Sequence, residues 1–503
     1  MAQLSRNLTR KKDTALEHFR NGRLQEAREL FEWVVKKEPG DWQTWNMLGA
    51  IYGMLGDHGR CEACCRTVLK IQPASFSTYN NLGNALKHQG KAVEAEAAYN
   101  RALSIQPQYA EAYSNLGELL RERGDVERAE EFLRKALSIK PDHAGAYNNL
   151  GSLHLNRGEL QAAVECYGKS LQLRPGQPET LYNLGCAFMS LGRYEQAAEY
   201  FRRYLAIQPT HVEAWMSLCM VLSHLKRFDE AVASGQKAVA LGANNADAYF
   251  VLGSTYQSMG NDVEAKNAYQ KALQAQPDHA SAAYFNSMLE GRIPDHAPHE
   301  YVRELFDSYA HKFDNDLTRN LDYRTPEHIS RLLRQYADTS GGKIRIVDLG
   351  CGTGLVGPLV RDMASMLVGV DLSPKMIAMA RQKAVYDTLV VSDVTDLLRE
   401  SHASCDAVIA ADVFVYIGNL EEVFSASRKA LVAGGCFIFS TESEEGRGEY
   451  LLRESGRYAH TNAYIHRLAA DHGFDMLHSE SLVLRKEGGS LITGTLFVLR
   501  ARD

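Results

Sequence analysis

The residues best suited to chemistry begin with Asp348, Gly350, Gly352 and Gly354, in the run VDLGCGTGLVG. Alternating glycines strip side chains from a segment. Its main chain can then come close to a ligand and take angles closed to other residues. Two more carboxylates end the next apolar runs, Asp371 in MLVGVDL and Asp393 in TLVVSD. A carboxylate accepts from two hydroxyls at once, which suits Asp371 to the paired hydroxyls of a ribose. Asp393 then falls where an adenine edge would lie. Asp412 follows in AADVFVYIG, and Arg457, Tyr458, His460 and His466 lie in GRYAHTNAYIHRL. An imidazole with an ordinary pKa of about 6.5 can act as a base, and a guanidinium can hold a carboxylate or phosphate through two hydrogen bonds. Each has a plainer reading: Asp412 as a cap for the following turn, His460 as a loop hydrogen-bonding group, Arg457 as a solvated charge.

Positioning these residues requires a sheet. From Lys343 onward, IRIVDL, MLVGVDL, TLVVSD, CDAVIAAD and GGCFIFSTE alternate with helical stretches such as PKMIAMARQKA and LEEVFSASRKAL. That alternation predicts a doubly wound α/β domain with a parallel sheet. SLVLRKE and SLITGTLFVLRA, joined by Gly488 and Gly489, predict an antiparallel hairpin ending it. Ligands of open parallel sheets bind outside the carboxyl ends of the strands, where Asp348 and the glycines emerge. The glycine loop alone leaves a dinucleotide open: counted from Gly350 the fingerprint needs glycine at Leu355, whereas counted from Gly352 it is met by Gly354 and Gly357.

Taken together, DLGCGTG, VDLSPKM and VVSDV resemble the class I methyltransferases, over about residues 305–500. The resemblance implies S-adenosyl-L-methionine as cofactor. It places the glycine loop against the methionine and ribose parts, Asp348 near the amino group, Asp371 on the ribose and Asp393 at the adenine. It also sets Asp412 facing the transferred methyl, where it can position a substrate hydroxyl or amine, and His460 and Arg457 under a substrate roof. AADVFVYIG lacks the Asn/Asp-Pro-Pro-aromatic motif of enzymes that methylate amide or exocyclic nitrogens. FDSYAHKFDNDLTRNLDYRTPEHI resembles the N-terminal helices that close over the cofactor in small-molecule methyltransferases, with Tyr309, Phe313 and Tyr323 as lid residues; an amphipathic packing helix is the other reading.

The first half is periodic. Ala27, Cys61, Ala95, Ala129, Ala163, Ala197, Ala231 and Ala265 recur every 34 residues, and Pro39 to Pro277 and Gly49 to Gly253 follow the same step with one substitution each. Every unit holds two helical patterns that cannot bury their apolar faces alone, so neighbours must stack. The segment resembles eight tetratricopeptide repeats. The predicted organisation is an all-α solenoid with a capping helix over residues 8–290, a linker at 291–300 containing Pro294 and Pro298, and the α/β domain at 301–503. The resemblance implies a groove that holds a protein or extended peptide. Asn81, Asn115, Asn149 and Asn183, one period apart on first helices, resemble the asparagine ladder of the O-linked N-acetylglucosamine transferases. Their amides can pair with peptide main chain whatever its sequence, or the residue is simply common at this position. CEACC suggests a metal site, but no second pair of ligand spacing follows, so no metal is expected and the three cysteines read as core.

Composition bounds the rest. The chain has 503 residues, 45% hydrophobic, with a formal net charge of -6. There is no basic surplus to hold nucleic acid or anionic lipid by charge, and no apolar run of about 18 residues to span a membrane. Nine cysteines in a chain of this size read as reduced thiols of a cytoplasmic protein. The order of the two regions resembles a bacterial group of predicted methyltransferases carrying tetratricopeptide repeats. Two functions follow as expectations: a methyltransferase whose solenoid recruits a protein substrate or partner, or an interaction scaffold whose methyltransferase fold binds cofactor without catalysis.

Overall fold

The computed structural model describes residues 2–503 apart from 316–322, 402–403, 447, 454 and 488–489, and the side chains at 2–6, 308, 309, 311, 312, 314, 315, 487 and 490 lie outside the description. The chain divides into two compact units, Met1–Leu225 and Lys226–Asp503.

The first unit is all helix. From Trp42 the helices alternate between 13 and 14 residues, as in Phe76–His88 followed by Ala92–Ile105, and each pair repeats the sequence period. Within a pair the turn is closed by glycine in the left-handed region, for example Gly90 at φ +74°. Lys91 N–H then donates to Leu86 O and caps the first helix. A second glycine does different work. A Cβ on Gly83 would sit 2.5 Å from the Tyr99 ring, and one on Gly151 would sit 2.8 Å from Tyr167, so the two helices approach over a bare backbone. The periodic alanines, such as Ala95 and Ala129, are fully buried at the same seams. Cys61, Cys64 and Cys65 are buried within this packing, with Cys64 against Gly49.

The second unit opens on the end of the array. Helices Ala246–Ser258 and Asp262–Ala275 form the last pair, and helix Ala280–Leu289 follows. Helices His299–Asn315 and Thr325–Tyr336 precede the sheet. Its strands are β1 (Ile344–Leu349), β2 (Ala364–Asp371), β3 (Thr388–Val391), β4 (Cys405–Ala410), β5 (Leu431–Glu444), β6 (Tyr450–Leu452), β7 (Tyr458–Thr461), β8 (Phe474–Glu487) and β9 (Ser490–Ala501). β3, β2, β1, β4 and β5 lie side by side in parallel, β9 runs antiparallel along β5, and β8 antiparallel along β9. The strand order reverses between β1 and β4, which opens the ligand crevice at their carboxyl ends. β1 is buried on both faces because helices cover the sheet on each side, and this is why IRIVDL is almost continuously apolar. The small strands β6 and β7 extend the far end of β5, and β7 lies within GRYAHTNAYIHRL.

The segment between the capping helix and His299 is pinned to this domain. Asp295 O accepts from both Gly418 N–H and Asn419 N–H at 2.8 Å, and Ala297 N–H donates to Tyr416 O at 2.9 Å.

Candidate functional site

Asp348 lies at the end of β1, opposite Gly369 of β2 and Ile409 of β4, so its side chain starts at the centre of the crevice. The chain then turns through Gly350, Gly352 and Gly354, whose φ values of +58°, +54° and +82° are strained for any other residue. Gly350 lies under the Val413 side chain and Gly354 under Tyr386; an added Cβ would meet them at 2.6 and 2.9 Å. The loop is fixed by Asp371 at the end of β2. Its carboxylate accepts from Gly352 N–H at 2.9 Å on one oxygen and from Ser373 N–H at 2.8 Å on the other. Ser373 in turn caps helix Pro374–Gln382 and donates to Asp307 of helix His299–Asn315 at 2.5 Å. Asp348 accepts from the Tyr386 hydroxyl at 2.6 Å.

Both carboxylates are costly in this setting. Burial pushes Asp348 up to about 7, with the nearby Asp371 charge adding to the shift and the Tyr386 bond opposing it. The enclosing protein pushes Asp371 up to about 6, against the pull of the Ser373 and Gly352 amides. Part of Asp371 stays accessible. Among the described residues neither forms an ion pair with Lys or Arg. Two unneutralised carboxylates beside a bare glycine loop fit a ligand that brings an ammonium and vicinal hydroxyls, as S-adenosylmethionine does.

Asp393 is placed differently from the sequence expectation that it ends the third strand. β3 stops at Val391, and Asp393 caps the next helix, Val394–Glu400, accepting from Thr395 N–H at 2.8 Å and Asp396 N–H at 3.2 Å. Its second oxygen stands 3.4 Å from His299 Nε2.

The other side of the crevice begins at Asp412, just past β4, with a left-handed φ of +56°. Ser440 of β5 holds it twice: Asp412 N–H donates to Ser440 Oγ at 2.8 Å, and Ser440 Oγ donates to Asp412 Oδ1 at 3.0 Å. Arg485 of β8 pairs with Asp412 Oδ2 at 2.8 Å and also with Glu442 of β5. Arg453 stands on the other side of Glu442 at 3.3 Å. The carboxylate of Asp412 is therefore engaged by an arginine and a hydroxyl, which suits it to positioning more than to taking a proton. Tyr323 is buried, and burial together with the Asp412 charge raises its phenol well above the usual value. The Phe313 ring lies over the glycine loop, 3.4 Å from where a Gly352 Cβ would be. The side chain of Tyr309 lies outside the described residues.

His460 does not reach the crevice as a free base. It is fully buried on β7, its Nε2 donates at 3.0 Å to the carbonyls of Ile417 and Gly418, and burial lowers it to about 4. It fixes the loop after β4. Arg457 is half-buried at the start of that strand, where its carbonyl accepts from Arg453 N–H at 2.8 Å. Asn81, Asn115, Asn149 and Asn183 are half-buried on successive first helices of the other unit, and Asn115 Nδ2 donates to Asn80 Oδ1 at 2.9 Å.

Sequence reasoning missed Tyr386, Asp307, Ser440, Glu442 and Arg485. The Ser-Pro pair after Asp371 did announce a helix start, but nothing local marks the others. Arg485 is hidden by a register shift between Val483 and Arg485 in the β8–β9 pairing, which breaks the alternation of the strand and turns the arginine inward.

Fold and site together define an array of tetratricopeptide repeats joined to a methyltransferase domain of class I architecture. Comparison with known proteins agrees. Residues 347–439 match the family described as methyltransferase domain, residues 246–279 a tetratricopeptide repeat, and residues 1–250 the C-terminal domain of cilia and flagella-associated protein 70. Among curated relatives, the mitochondrial ubiquinone biosynthesis O-methyltransferase of Rattus norvegicus is 27% identical over 131 residues, 24% of this chain and 38% of that protein. The malonyl-[acyl-carrier protein] O-methyltransferase of Bacillus cereus is 33% identical over 121 residues, 23% of this chain and 44% of that protein. The chain thus spans less than half the length of these relatives. Among solved structures, YrrB, a TPR protein with an unusual peptide-binding site, aligns with a TM-score of 0.36 at 26% identity, covering 38% of this chain and 97% of that one. The Cut9–Hcn1 hetero-tetramer aligns at 0.44 with 18% identity, covering 56% and 55%. No helix among the described residues is long and apolar enough to cross a membrane.

Proposed function

We propose that the chain is an S-adenosylmethionine-dependent methyltransferase that transfers to an oxygen acceptor, and that its repeats recruit a protein substrate or partner. The observation that carries the reading is the pair of unneutralised carboxylates, buried Asp348 and half-buried Asp371, around a left-handed glycine loop. Asp371 would hold the ribose hydroxyls and Asp348 the ammonium, each gaining the partner it lacks. The cofactor supplies an electrophilic sulfonium methyl when bound, so the protein must chiefly align the acceptor and exclude water. Phe313 covers the loop, Tyr323 closes the crevice, and Asp412, locked by Ser440 and Arg485, presents a fixed polar edge to the acceptor. The choice of oxygen follows the O-methyltransferase names of the curated relatives. A protein or peptide ligand of the repeats, gripped through Asn81, Asn115, Asn149 and Asn183, follows the fold of the first unit.

The test is calorimetric titration with S-adenosylmethionine, followed by incubation of the full chain with radiolabelled cofactor and cell lysate. Labelled proteins and labelled small molecules are then separated. Binding with label in either fraction supports the reading. Binding without any transferred label assigns the protein to scaffolding, and no binding removes the cofactor.

A further inference from the structure

The loop after β4 is held from three sides. Its first residue, Asp412, is locked to Ser440 and Arg485, and Val413 packs on Gly350 of the ligand loop. Its last residues, Ile417 to Asn419, are held by His460 through carbonyls and by Asp295 through amides. The third side belongs to the segment that ends the repeats. His296 bridges to Ile417 in antiparallel fashion, and Ala297 N–H donates to Tyr416 O. Two tyrosines of the β6–β7 pair clamp the segment from behind: Tyr450 donates to Asp295 Oδ1 at 3.0 Å and Tyr458 to Pro294 O at 2.8 Å. The capping helix joins in, since Tyr284 donates to Gly456 O at 3.0 Å and Phe285 packs edge-on against Tyr301. The end of the repeats is thus continuous, bond by bond, with the loop that touches Gly350.

We infer that residues 294–297, clamped by Tyr450 and Tyr458, are a positioning strap that fixes loop 412–419 against the glycine loop. That this loop faces a methyl acceptor rests on the function proposed above. The strap touches no ligand; it acts through Asp412 and Val413. Six hydrogen bonds enter residues 294–297 or loop residues 416–419 from the opposing side: two at Asp295 O, one at Asp295 Oδ1, one at Pro294 O, one from Ala297, and the His460 donor shared by two carbonyls. Such a network is broken stepwise without unfolding the domain, because each bond contributes modestly.

The experiment is hydrogen–deuterium exchange of the full chain, read on peptides covering 412–420, together with calorimetric affinity for S-adenosylhomocysteine. The double variant Tyr450→Phe/Tyr458→Phe keeps both rings and removes both clamps. Ala297→Pro removes the N–H that bonds Tyr416. Leu332→Ala, in the buried face of helix Thr325–Tyr336, is a control that lowers stability away from the strap. Exchange in 412–420 should rise about fivefold in Ala297→Pro, the scale of one lost hydrogen bond, and at least as much in the double variant, which loses two. The affinity of Ala297→Pro should fall by a similar factor through Val413. Leu332→Ala, compared at equal loss of melting temperature, should leave 412–420 no more exposed than the rest of the domain. Wild-type exchange in the double variant, or an equal rise in the control, overturns the strap. If Ala297→Pro does not fold, the double variant still decides. If the wild type binds no S-adenosylhomocysteine the proposed function fails, whereas the exchange comparison continues to judge the strap.

Discussion

Replacing Asp371 by Asn should separate the two tasks of this carboxylate. Its oxygens accept from Gly352 N–H at 2.9 Å and Ser373 N–H at 2.8 Å, and a ligand's hydroxyls would add to these. An amide offers one oxygen and one NH2, so one backbone donor loses its acceptor and faces another donor. Hydrogen bonds to charged groups contribute about 1.5–3 kcal/mol, so affinity for S-adenosylmethionine should fall about 12- to 140-fold. The pH dependence gives a second signature. Free Asp371 titrates at about 6 and Asp348 at about 7, both raised by burial. Hydroxyl and ammonium partners favour the charged forms, so binding lowers both values and expels protons. Affinity should therefore be full above pH 7.5 or so and fall as pH drops through 7 and 6. The unliganded protein shows the opposite sign: a carboxylate raised in the folded state disfavours folding once ionised, so its contribution to stability worsens as pH rises from about 4 to 7. Calorimetry at pH 6 in buffers of different ionisation enthalpy counts the released protons. Equal affinity at pH 5.5 and 8, or an Asp371→Asn variant that binds as the wild type, would refute the assignment.

Tyr386→Phe removes the hydroxyl that holds Asp348 down, so its titration should move further above about 7. Affinity should be lost at pH 7 and largely regained at pH 8.5, as read by titration at both. In the repeats, Gly151→Val should lower stability by about 1–3 kcal/mol because its Cβ meets the Tyr167 ring at 2.8 Å. Gly168→Ala, in the partner helix with nothing within 4 Å, should raise it by about 0.5–1 kcal/mol, both measured by urea unfolding. Replacing Asn81, Asn115, Asn149 and Asn183 together by Ala should strip captured partners of differing sequence alike, and an unchanged captured set would remove the row from binding. Of the four, Asn115→Ala alone should cost about 1–3 kcal/mol of stability, since it leaves the buried Asn80 oxygen without its donor.

What could be read in the sequence was what repeats or stays local. Eight copies of one period leave little freedom in the helix pairs, and an apolar run ending in Asp then Gly-x-Gly-x-Gly marks a strand and its loop within eleven residues. Asp371 was legible for the same reason. The glycines were only half legible: their 34-residue step showed in the sequence, but not that Gly83 lies bare against the Tyr99 ring. Prolines in GRIPDHAPHE say that no helix continues, but not where the polar main chain is satisfied, and it is satisfied by Tyr416, Gly418 and Asn419 more than a hundred residues away. The sequence left His460 between a base and a loop hydrogen-bonding group; β7 buries all four of its residues under a loop no local pattern reveals. Asp393 looked like a strand end because strand and cap are separated by a single residue, Ser392.

The same distinction separates the two faces of the crevice. The glycine-loop face is built mainly from one stretch, Asp348 to Ser373, to which Tyr386, Val413 and Asp307 add from outside: β1 places the loop, β2 places Asp371, and Asp371 returns to hold Gly352. The Asp412 face has no such economy. Asp412 holds a left-handed angle that costs about 1–3 kcal/mol for a residue of its kind, and three distant side chains keep it there. Ser440 grips both its amide and its carboxylate, Arg485 neutralises the charge, and Glu442 keeps Arg485 from leaving. Removing Ser440 or Arg485 frees the backbone to relax, and Val413, next in the chain, would then release Gly350. Strain at Asp412 thus ties the geometry of the Asp412 face to that of the glycine loop. Under the proposed methyl transfer, where two reactants must be aligned, that coupling is a gain, because neither face can drift without moving the other.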